Sequence, residues 1–206
     1  MVGEKKWTVA PSRVLQADEL RTLRRCAKNG AAGSRWKNPS RVLEHLVLEI
    51  ALGSGLRVAE IASLTCGDLM LGKSSGSILV RRGKGGKQRT VIISAELSRG
   101  LKAFLRWKSA RGKTVDSNAP LIVSRHTGGF ISTRALQKMF TRVLQAAGIG
   151  HYRFHDLRHT YGSYLLRASD NDLVFVRDQM GHSDLTTTAV YLHALKAEEA
   201  VNALYA

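Results

Sequence analysis

Cysteine, proline and aromatic residues are scarce in this sequence of 206 residues. The two cysteines, Cys26 and Cys66, form no CxxC pair and are too few to make a zinc site alone. Aromatic residues make up 6% of the chain and show no RNP-type pattern, which disfavours a basic RNA-binding domain. With three prolines and no low-complexity block, the chain shows no linker that would divide it. We therefore expect one domain that carries two incidental thiols.

Long apolar segments are also lacking. No apolar run approaches the roughly 18–20 residues that are needed to span a bilayer. The first residues, Met1 to Trp7, include Glu4, Lys5 and Lys6 and contain no apolar run, unlike a secretory signal peptide. These absences predict a cytoplasmic protein.

Acidic residues are few relative to basic ones. The chain has 32 Lys and Arg against 16 Asp and Glu, which gives a formal net charge of +16. Hydrophobic residues at 44% and charged residues at 23% are ordinary for a globular protein and exclude a disordered basic tail. A folded domain this basic usually meets a polyanion, so DNA, RNA and an anionic membrane surface are the candidate partners.

Hydrophobic periodicity predicts an α+β fold that is mainly helical and has one small antiparallel sheet. Helices are expected at 15–28, from an N-cap at Ser40, from near Arg57, and at 95–108, 133–147, 155–167, 172–180, 184–190 and 194–204. Residues 78–82 and 89–93 are β-like and are joined by a glycine-rich turn that predicts a hairpin. Residues 121–123 are a candidate for a third strand.

The segment GLRVAE at 55–60 places Arg57 in the first turn of a helix, where the macrodipole disfavours a cation. Spare backbone N–H groups and a guanidinium make such a position a good phosphate receptor. Glu60 lies three residues further along, on the same face, where it can hold Arg57 in position. A surface Arg–Glu pair is the alternative interpretation.

The hairpin turn carries Lys84 and Lys87 at its tip, with Arg81, Arg82 and Arg89 on its flanks. Glycines let the backbone approach a ligand closely, and lysine supplies a mobile charge or a proton. The turn is not a Walker loop, because GxxxxGK[ST] leading into a helix is absent. A hairpin that lies on a nucleic-acid backbone without a catalytic part is the alternative.

The segment HDLRH at 155–159 places His155, Arg158 and His159 on one face of a helix. The positions that hold the glutamate of HExxH and HxxEH zinc motifs are occupied here by Asp156 and Arg158, and a cation between two histidines opposes metal binding. Permanent charge, forked donors and a titratable proton suit an oxyanion instead. Two core histidines beside a surface arginine are the alternative.

Tyr191 follows His182 by nine residues. A continuous helix would separate the two by about 13 Å and turn them to opposite faces. If both serve one site, the helix must break, and we expect the break in the threonine run at 186–188. Tyrosine needs nearby cations to act as a nucleophile, since its usual pKa is about 10. Simple core packing is the alternative for this tyrosine.

Together and in this order, these segments resemble the catalytic domain of tyrosine recombinases, the phage-integrase family. The resemblance spans roughly residues 14–206. It rests on Arg57 in GLRVAE, Lys84 in GKGGK, His155 and Arg158 in HDLRH, His182 in MGHSDLTTT, and Tyr191. It implies that residues 1–206 form one catalytic domain of that fold, with 1–13 as a lead-in.

The resemblance also implies a reaction. Tyr191 would attack the scissile phosphate of DNA and form a 3′-phosphotyrosyl link with release of a 5′-hydroxyl. Arg57 and Arg158 would bind the non-bridging oxygens. Lys84 would protonate the leaving 5′-oxygen as general acid. The covalent link conserves the phosphodiester energy, so no ATP, metal or other cofactor is expected.

Further roles follow from the same resemblance. His155 would assist proton transfer at the tyrosine, His182 would hydrogen-bond the phosphate, and Glu60 would orient Arg57. The remaining basic residues of the hairpin would contact the neighbouring DNA backbone: Arg81, Arg82, Lys87 and Arg89.

Family members act as tetramers on two DNA duplexes and exchange a C-terminal segment between protomers. Leu195, Val201 and Leu204 form an apolar set that suits such a helix, and packing on its own domain is the alternative. Family members usually also carry an N-terminal DNA-binding domain of roughly a hundred residues. We expect this core-binding domain to be absent here, and DNA affinity to be weaker as a result.

Two other functions remain open from the sequence. Type IB topoisomerases share the tyrosine chemistry and would relax DNA. A regulator could keep the fold and bind DNA without cutting it, although a pure binder has no need for Tyr191. Site-specific recombination or integration is the function that the motifs favour.

Overall fold

Helices account for most of the residues that the structure, a computed structural model, describes; these are 13–33, 37–72, 75–81, 88–182 and 185–192. The helices are α1 (Ala17–Gly33), α2 (Pro39–Ser54), α3 (Val58–Ala62), α4 (Ala95–Ser109), α5 (Thr133–Ala147), α6 (Phe154–Ala168), α7 (Leu173–Met180) and α8 (185–192). The strands are β1 (Leu69–Leu71), β2 (Gly76–Val80) and β3 (Arg89–Ile93). The predicted α+β fold, mainly helical with a small antiparallel sheet, is confirmed. The helix expected at 194–204 lies outside the described residues.

Four helices, α2, α4, α5 and α7, begin at a side chain that accepts a hydrogen bond from the first turn. The serine caps Ser94 and Ser132 begin α4 and α5. For α2 the expected cap at Ser40 is wrong: the Asn38 side chain accepts from the Ser40 backbone N–H at 3.0 Å. Pro39 then occupies the first helical turn, where its missing N–H has no partner to lose.

The sheet has the strand order β1-β2-β3, and both neighbouring pairs are antiparallel. The two strands predicted from the alternating pattern are β2 and β3, which pair through Ile78 and Val91, both fully buried. These inward side chains fix the register, because a slip of one residue would expose them. The sheet therefore holds β3, and with it Arg89, at a defined position beside α7.

The prediction of a third strand at 121–123 is wrong, and the third strand is β1. Around 121–123 the described residues form only isolated bridges, Thr65 with Pro120 and Val123 with Phe130. Proline has no N–H to donate, which prevents a ladder from extending through position 120. Leu121 and Ile122 are buried, so their apolar character reflects the core and not a strand.

The hydrophobic core divides into two clusters. The larger one surrounds α2, which packs against α1, α4, α5 and α6. The smaller one lies between α6, α7 and α8 and consists of Leu166, Val176, Met180 and Tyr191. The candidate nucleophile is therefore itself a core residue of the second cluster. Within the described ranges, no helix is both long and apolar enough to cross a membrane.

Candidate active site

Arg57 immediately precedes α3, and Glu60 in the first turn of that helix binds it twice. Glu60 accepts a hydrogen bond from the Arg57 backbone N–H at 2.7 Å and from its guanidinium at 2.9 Å. The side chain of Glu60 is only 4% exposed. A surface Arg–Glu pair is thus excluded, and Glu60 orients Arg57 from inside the protein.

A second arginine, Arg89 at the start of β3, shares the same carboxylate. Its guanidinium donates to both oxygens of Glu60, at 2.8 and 3.0 Å, in the bidentate geometry that suits this pair. Burial alone would raise the pKa of Glu60, but the hydrogen bonds from Arg89 and Arg57 and their charges outweigh it and lower the pKa. The Arg89 side chain is 13% exposed, which places it behind the site and not on the outer face of the hairpin.

Arg158 is buried in α6 and binds the ends of two other helices. Its guanidinium donates to the carbonyl of Gly55 at 2.5 Å and to that of Met180 at 2.7 Å. These carbonyls close α2 and α7, where the helix dipole favours a cation. Burial and the nearby Arg57 charge lower the pKa of Arg158 to about 10, so the group stays charged at neutral pH.

Arg57 also binds the C-terminal end of α7, where its guanidinium donates to the carbonyl of Gly181 at 3.2 Å. Gly55 and Gly181 are both left-handed, with φ of 60° and 65°. A Cβ at Gly55 would collide with the ring of Tyr161, so glycine is required on steric as well as conformational grounds. Two backbone turns therefore bring two guanidinium groups side by side, an arrangement that suits a phosphate.

Tyr191 completes this cluster from α8. Its side chain is 2% exposed, and its ring stacks with that of His182 at a centroid distance of 6.2 Å and an interplanar angle of 12°. Burial raises the pKa of Tyr191 to about 12, although the charges of Arg158 and Arg57 oppose that shift. The phenol is therefore protonated at neutral pH and lies within the field of both arginines.

His182 and Tyr191 do meet, but not as the sequence predicted. The expected break in the threonine run is wrong: 186–188 are helical and belong to α8, whose described residues are 185–192. α7 ends at Met180 and is capped by Gly181, so His182 lies in the connection between two helices. His182 Nδ1 lies 2.9 Å from Thr188 Oγ1, a contact that fixes the imidazole against the threonine run.

The two histidines of HDLRH are not core residues, and they differ in their contacts. His155 is exposed at the site, and its ring packs edge-on against that of His159, with centroids 4.6 Å apart. Partial desolvation of its ring by the surrounding residues, followed by the charge of Arg158, lowers the pKa of His155. It is His159 Nδ1 that lies 3.1 Å from Tyr191 Oη. The sequence motifs did not assign this residue a role, although the i, i+4 spacing of the two histidines already placed both on one face.

The hairpin residues are only partly described. Lys84, Arg82 and Lys87 lie outside the described residues, so their expected roles remain predictions. Arg81 is about half exposed and forms an ion pair with Asp68 at 2.5 Å. The rest of the Arg81 side chain is open to solvent, whereas Arg89 points inward.

No group of three His, Cys, Asp or Glu side chains comes together as metal ligands would in the part of the chain that the structure describes. Among the described residues, the site contains two fixed guanidinium groups, three histidines and a phenol. Such a set can bind an oxyanion, stabilise negative charge that develops on it and move protons.

Solved structures of recombinases share this fold. XerA recombinase shares the fold with a TM-score of 0.74 and 26% identity, over 95% of this chain and 66% of that one. XerH site-specific recombinase, bound to palindromic difH substrate in a post-cleavage complex, gives a TM-score of 0.74 at 24% identity, over 94% of this chain and 53% of that one.

The sequence profile of the phage integrase family matches residues 13–198, and the chain belongs to that family. Tyrosine recombinase XerC of Xylella fastidiosa (strain 9a5c) is 34% identical over 182 residues, which are 88% of this chain and 56% of the relative. XerC of Actinobacillus pleuropneumoniae serotype 7 (strain AP76) is 33% identical over 75% of this chain and 48% of the relative. The chain thus spans about half the length of these curated relatives.

Proposed function

We propose that this chain cleaves and rejoins DNA strands through a covalent link to Tyr191, as the catalytic domain of a site-specific tyrosine recombinase. The observation that carries this proposal is the convergence of Arg57, Arg158 and His182 on Tyr191. These residues come from four separate segments of the chain, and core packing alone does not require two guanidinium groups beside a buried phenol.

The arrangement supports the reaction in the following way. The arginines bind the non-bridging oxygens of the scissile phosphate and stabilise the charge that builds there during attack by Tyr191 Oη. Their guanidinium groups are already fixed by Glu60 and by backbone carbonyls, so little reorganisation is needed when the phosphate enters. His182 donates a hydrogen bond to the phosphate, and Lys84 protonates the 5′-oxygen as it leaves.

We further propose double-stranded DNA as the partner and an oligomer on two DNA sites, with residues 195–204 as the contact between protomers. The family resemblance supports both. The relative XerH is described with its DNA substrate. A cytoplasmic location is part of the same proposal, because the protein would have to meet its DNA partner there.

Covalent capture on DNA tests the proposal. The chain is incubated with a pool of nicked suicide duplexes that share fixed arms and carry a randomised core, and adducts that survive denaturant are isolated and sequenced. We expect a protein–DNA adduct with the unmodified chain and none with Tyr191→Phe. Tyr164→Phe, a change on α6 outside the site, is the matched control and should retain the adduct.

The same duplexes separate the alternatives. An adduct that persists in Tyr191→Phe would show that the nucleophile is misassigned. Binding of the selected duplex without any adduct would favour a non-cutting regulator. Relaxation of a supercoiled plasmid without strand exchange between two selected duplexes would favour a topoisomerase.

A further inference from the structure

The second histidine of the HDLRH segment contacts the reacting oxygen of the proposed nucleophile. His159 Nδ1 lies 3.1 Å from Tyr191 Oη, and the two residues are 32 positions apart in sequence. Their ring centroids are 5.9 Å apart, and the rings are tilted by 56°. The contact therefore joins α6 to α8 through Tyr191 Oη, the atom that attacks phosphorus in the proposed reaction.

The charge states on the two sides of this contact are complementary. Burial, assisted by the charges of His155, Arg158 and Arg13, lowers the pKa of His159 to about 4, so its imidazole is neutral at neutral pH. Burial raises the pKa of Tyr191 to about 12, so its phenol keeps its proton. A neutral imidazole with hydrogen on Nε2 can accept that proton at Nδ1.

His155 is not placed to take the proton directly. It is exposed, and its ring packs edge-on against that of His159, with centroids 4.6 Å apart. The charged or titratable groups that act on His159 come from its own helix, from the segment before α1 and from α8: His155, Asp156, Arg158, Arg13 and Tyr191. Asp156 is the member of this set that stabilises a positive charge on the imidazole.

We propose that His159 is a catalytic residue that accepts the phenolic proton of Tyr191 during strand cleavage and returns it during rejoining. This inference rests on the proposed function. The Oη–H bond breaks and its proton moves to Nδ1, while an oxygen lone pair forms the Oη–P bond. The P–O5′ bond breaks with its electron pair on the 5′-oxygen, which takes a proton from the general acid, for which Lys84 is the candidate.

A bound phosphate would make His159 a stronger base. The positive charge of Arg158 disfavours a proton on His159 in the chain alone. A phosphate that binds Arg158 brings negative charge, which offsets this repulsion, and the carboxylate of Asp156 remains close by. Proton transfer is thereby favoured when DNA occupies the site, and the buried phenol stays protonated until then.

Two substitutions separate a base from a mere hydrogen-bond acceptor. Asparagine places an amide oxygen near the position of Nδ1 but takes up no proton, whereas phenylalanine keeps only the ring. We expect His159→Asn and His159→Phe both to slow single-turnover adduct formation on a captured suicide duplex by roughly 10²–10⁴-fold. His126→Asn, in an exposed loop, is the matched control and should leave the rate unchanged. A rate for His159→Asn close to that of the unmodified chain would overturn the proposal.

A change in the acidity of the nucleophile distinguishes a base from a packing residue. It should alter the cleavage rate of a His159 variant only if His159 takes the proton. Replacement of Tyr191 by a fluorinated tyrosine, whose phenol is more acidic, reduces the need for a base. We expect it to restore most of the rate lost in His159→Asn. If the rate stays low although the variant keeps the circular dichroism spectrum of the unmodified chain, His159 is only a packing residue and the proposal fails.

A measurement without DNA keeps this inference separate from the proposed function. Nitrogen NMR shifts of the full chain should show His159 as the neutral tautomer with hydrogen on Nε2, and the Nδ1 signal should shift in Tyr191→Phe. Hydrogen on Nδ1 would overturn the inference alone, as would a Tyr191-dependent adduct that His159 substitutions do not slow. Failure of every DNA to form an adduct would overturn the proposed function and this inference together.

Discussion

At the scale of single residues, Arg158 shows how a buried cation is kept in position. It is 3% exposed and is bound by two carbonyls that close helices. A lysine at this position carries one point charge and cannot contact both carbonyls and a phosphate together. We expect Arg158→Lys to lower the rate of adduct formation by on the order of 10²–10³-fold.

The rate for Arg158→Lys is measured with DNA in excess, so that loss of affinity does not mimic loss of chemistry. Arg99→Lys, an exposed change on α4, is the control and should match the unmodified chain. An Arg158→Lys rate within twofold of the unmodified chain would contradict the assigned role.

Glu60 is a buried carboxylate between two arginines, so its removal leaves both cations without their partner. We expect Glu60→Gln to lower the free energy of unfolding by on the order of 3 kcal/mol at neutral pH. The lowered pKa of Glu60 means that its stabilisation is present above its ordinary pKa of 4.5 and is lost as the pH falls through the folded-state value. Urea unfolding of both proteins at a series of pH values measures this difference.

The stability difference between the unmodified chain and Glu60→Gln should thus be largest near neutral pH and should shrink below about pH 4.5. Glu96→Gln, an exposed change in the first turn of α4, should show little difference at any pH. A Glu60→Gln difference that stays constant down to pH 3 would argue against a paired carboxylate.

The motifs predicted which residues meet but not how each one is used. Arg57, Arg158, His182 and Tyr191 converge in the structure. The sequence places Arg89 beside the hairpin turn and therefore predicts an outer DNA contact. Its true partner, Glu60, is 29 positions away, and only the packed sheet brings the two together.

At the scale of elements, a glycine in the middle of α6 lets α7 and α8 approach closely. A Cβ at Gly162 would lie 2.8 Å from Met180 Sδ and 2.9 Å from Tyr191 Cζ. Gly100 in α4 has open space around it and is the matched control. Alanine in a helix is favoured over glycine by roughly 0.5–1 kcal/mol, so Gly100→Ala should stabilise the chain.

We expect Gly162→Ala to have the opposite effect and to destabilise the chain, because the new methyl group displaces Met180 or Tyr191. Thermal unfolding compares the two variants, and the reactivity of tyrosine toward iodination reports the exposure of Tyr191. Equal gains in stability from both alanines would show that α7 and α8 do not pack on Gly162 as described.

The elements themselves were largely predictable, because apolar residues at helical spacing identify α4, α5, α6 and α7 within one or two residues at each end. The errors have a common cause. At 121–123 the apolar residues are buried in the core without forming a strand, and at 186–188 tertiary packing outweighs the low helix propensity of threonine. Thr188 is fully buried and its hydroxyl lies 2.9 Å from His182 Nδ1, and this packing holds the threonine run helical.

At the scale of the whole molecule, the net charge of +16 should attract the proposed DNA partner before any specific contact forms. Each phosphate contact releases condensed counterions, so affinity falls steeply with salt. We expect binding to a random-sequence duplex to weaken by roughly 10³-fold or more between 50 and 200 mM salt. Fluorescence anisotropy across a salt series measures the slope, and affinity that does not respond to salt would contradict a binding mode dominated by phosphate contacts.

Tyr191 lies in the small core cluster with Leu166, Val176 and Met180, so the proposed reactant also contributes to folding. Any excursion of its ring toward a phosphate vacates a cavity between α6, α7 and α8, and the weaker van der Waals packing around that cavity opposes the excursion. Substitutions that tighten this cluster should raise the melting temperature and slow cleavage together. Variants adapted to high temperature would then turn over more slowly at low temperature, because the packing that stabilises the fold also keeps Tyr191 away from the phosphate.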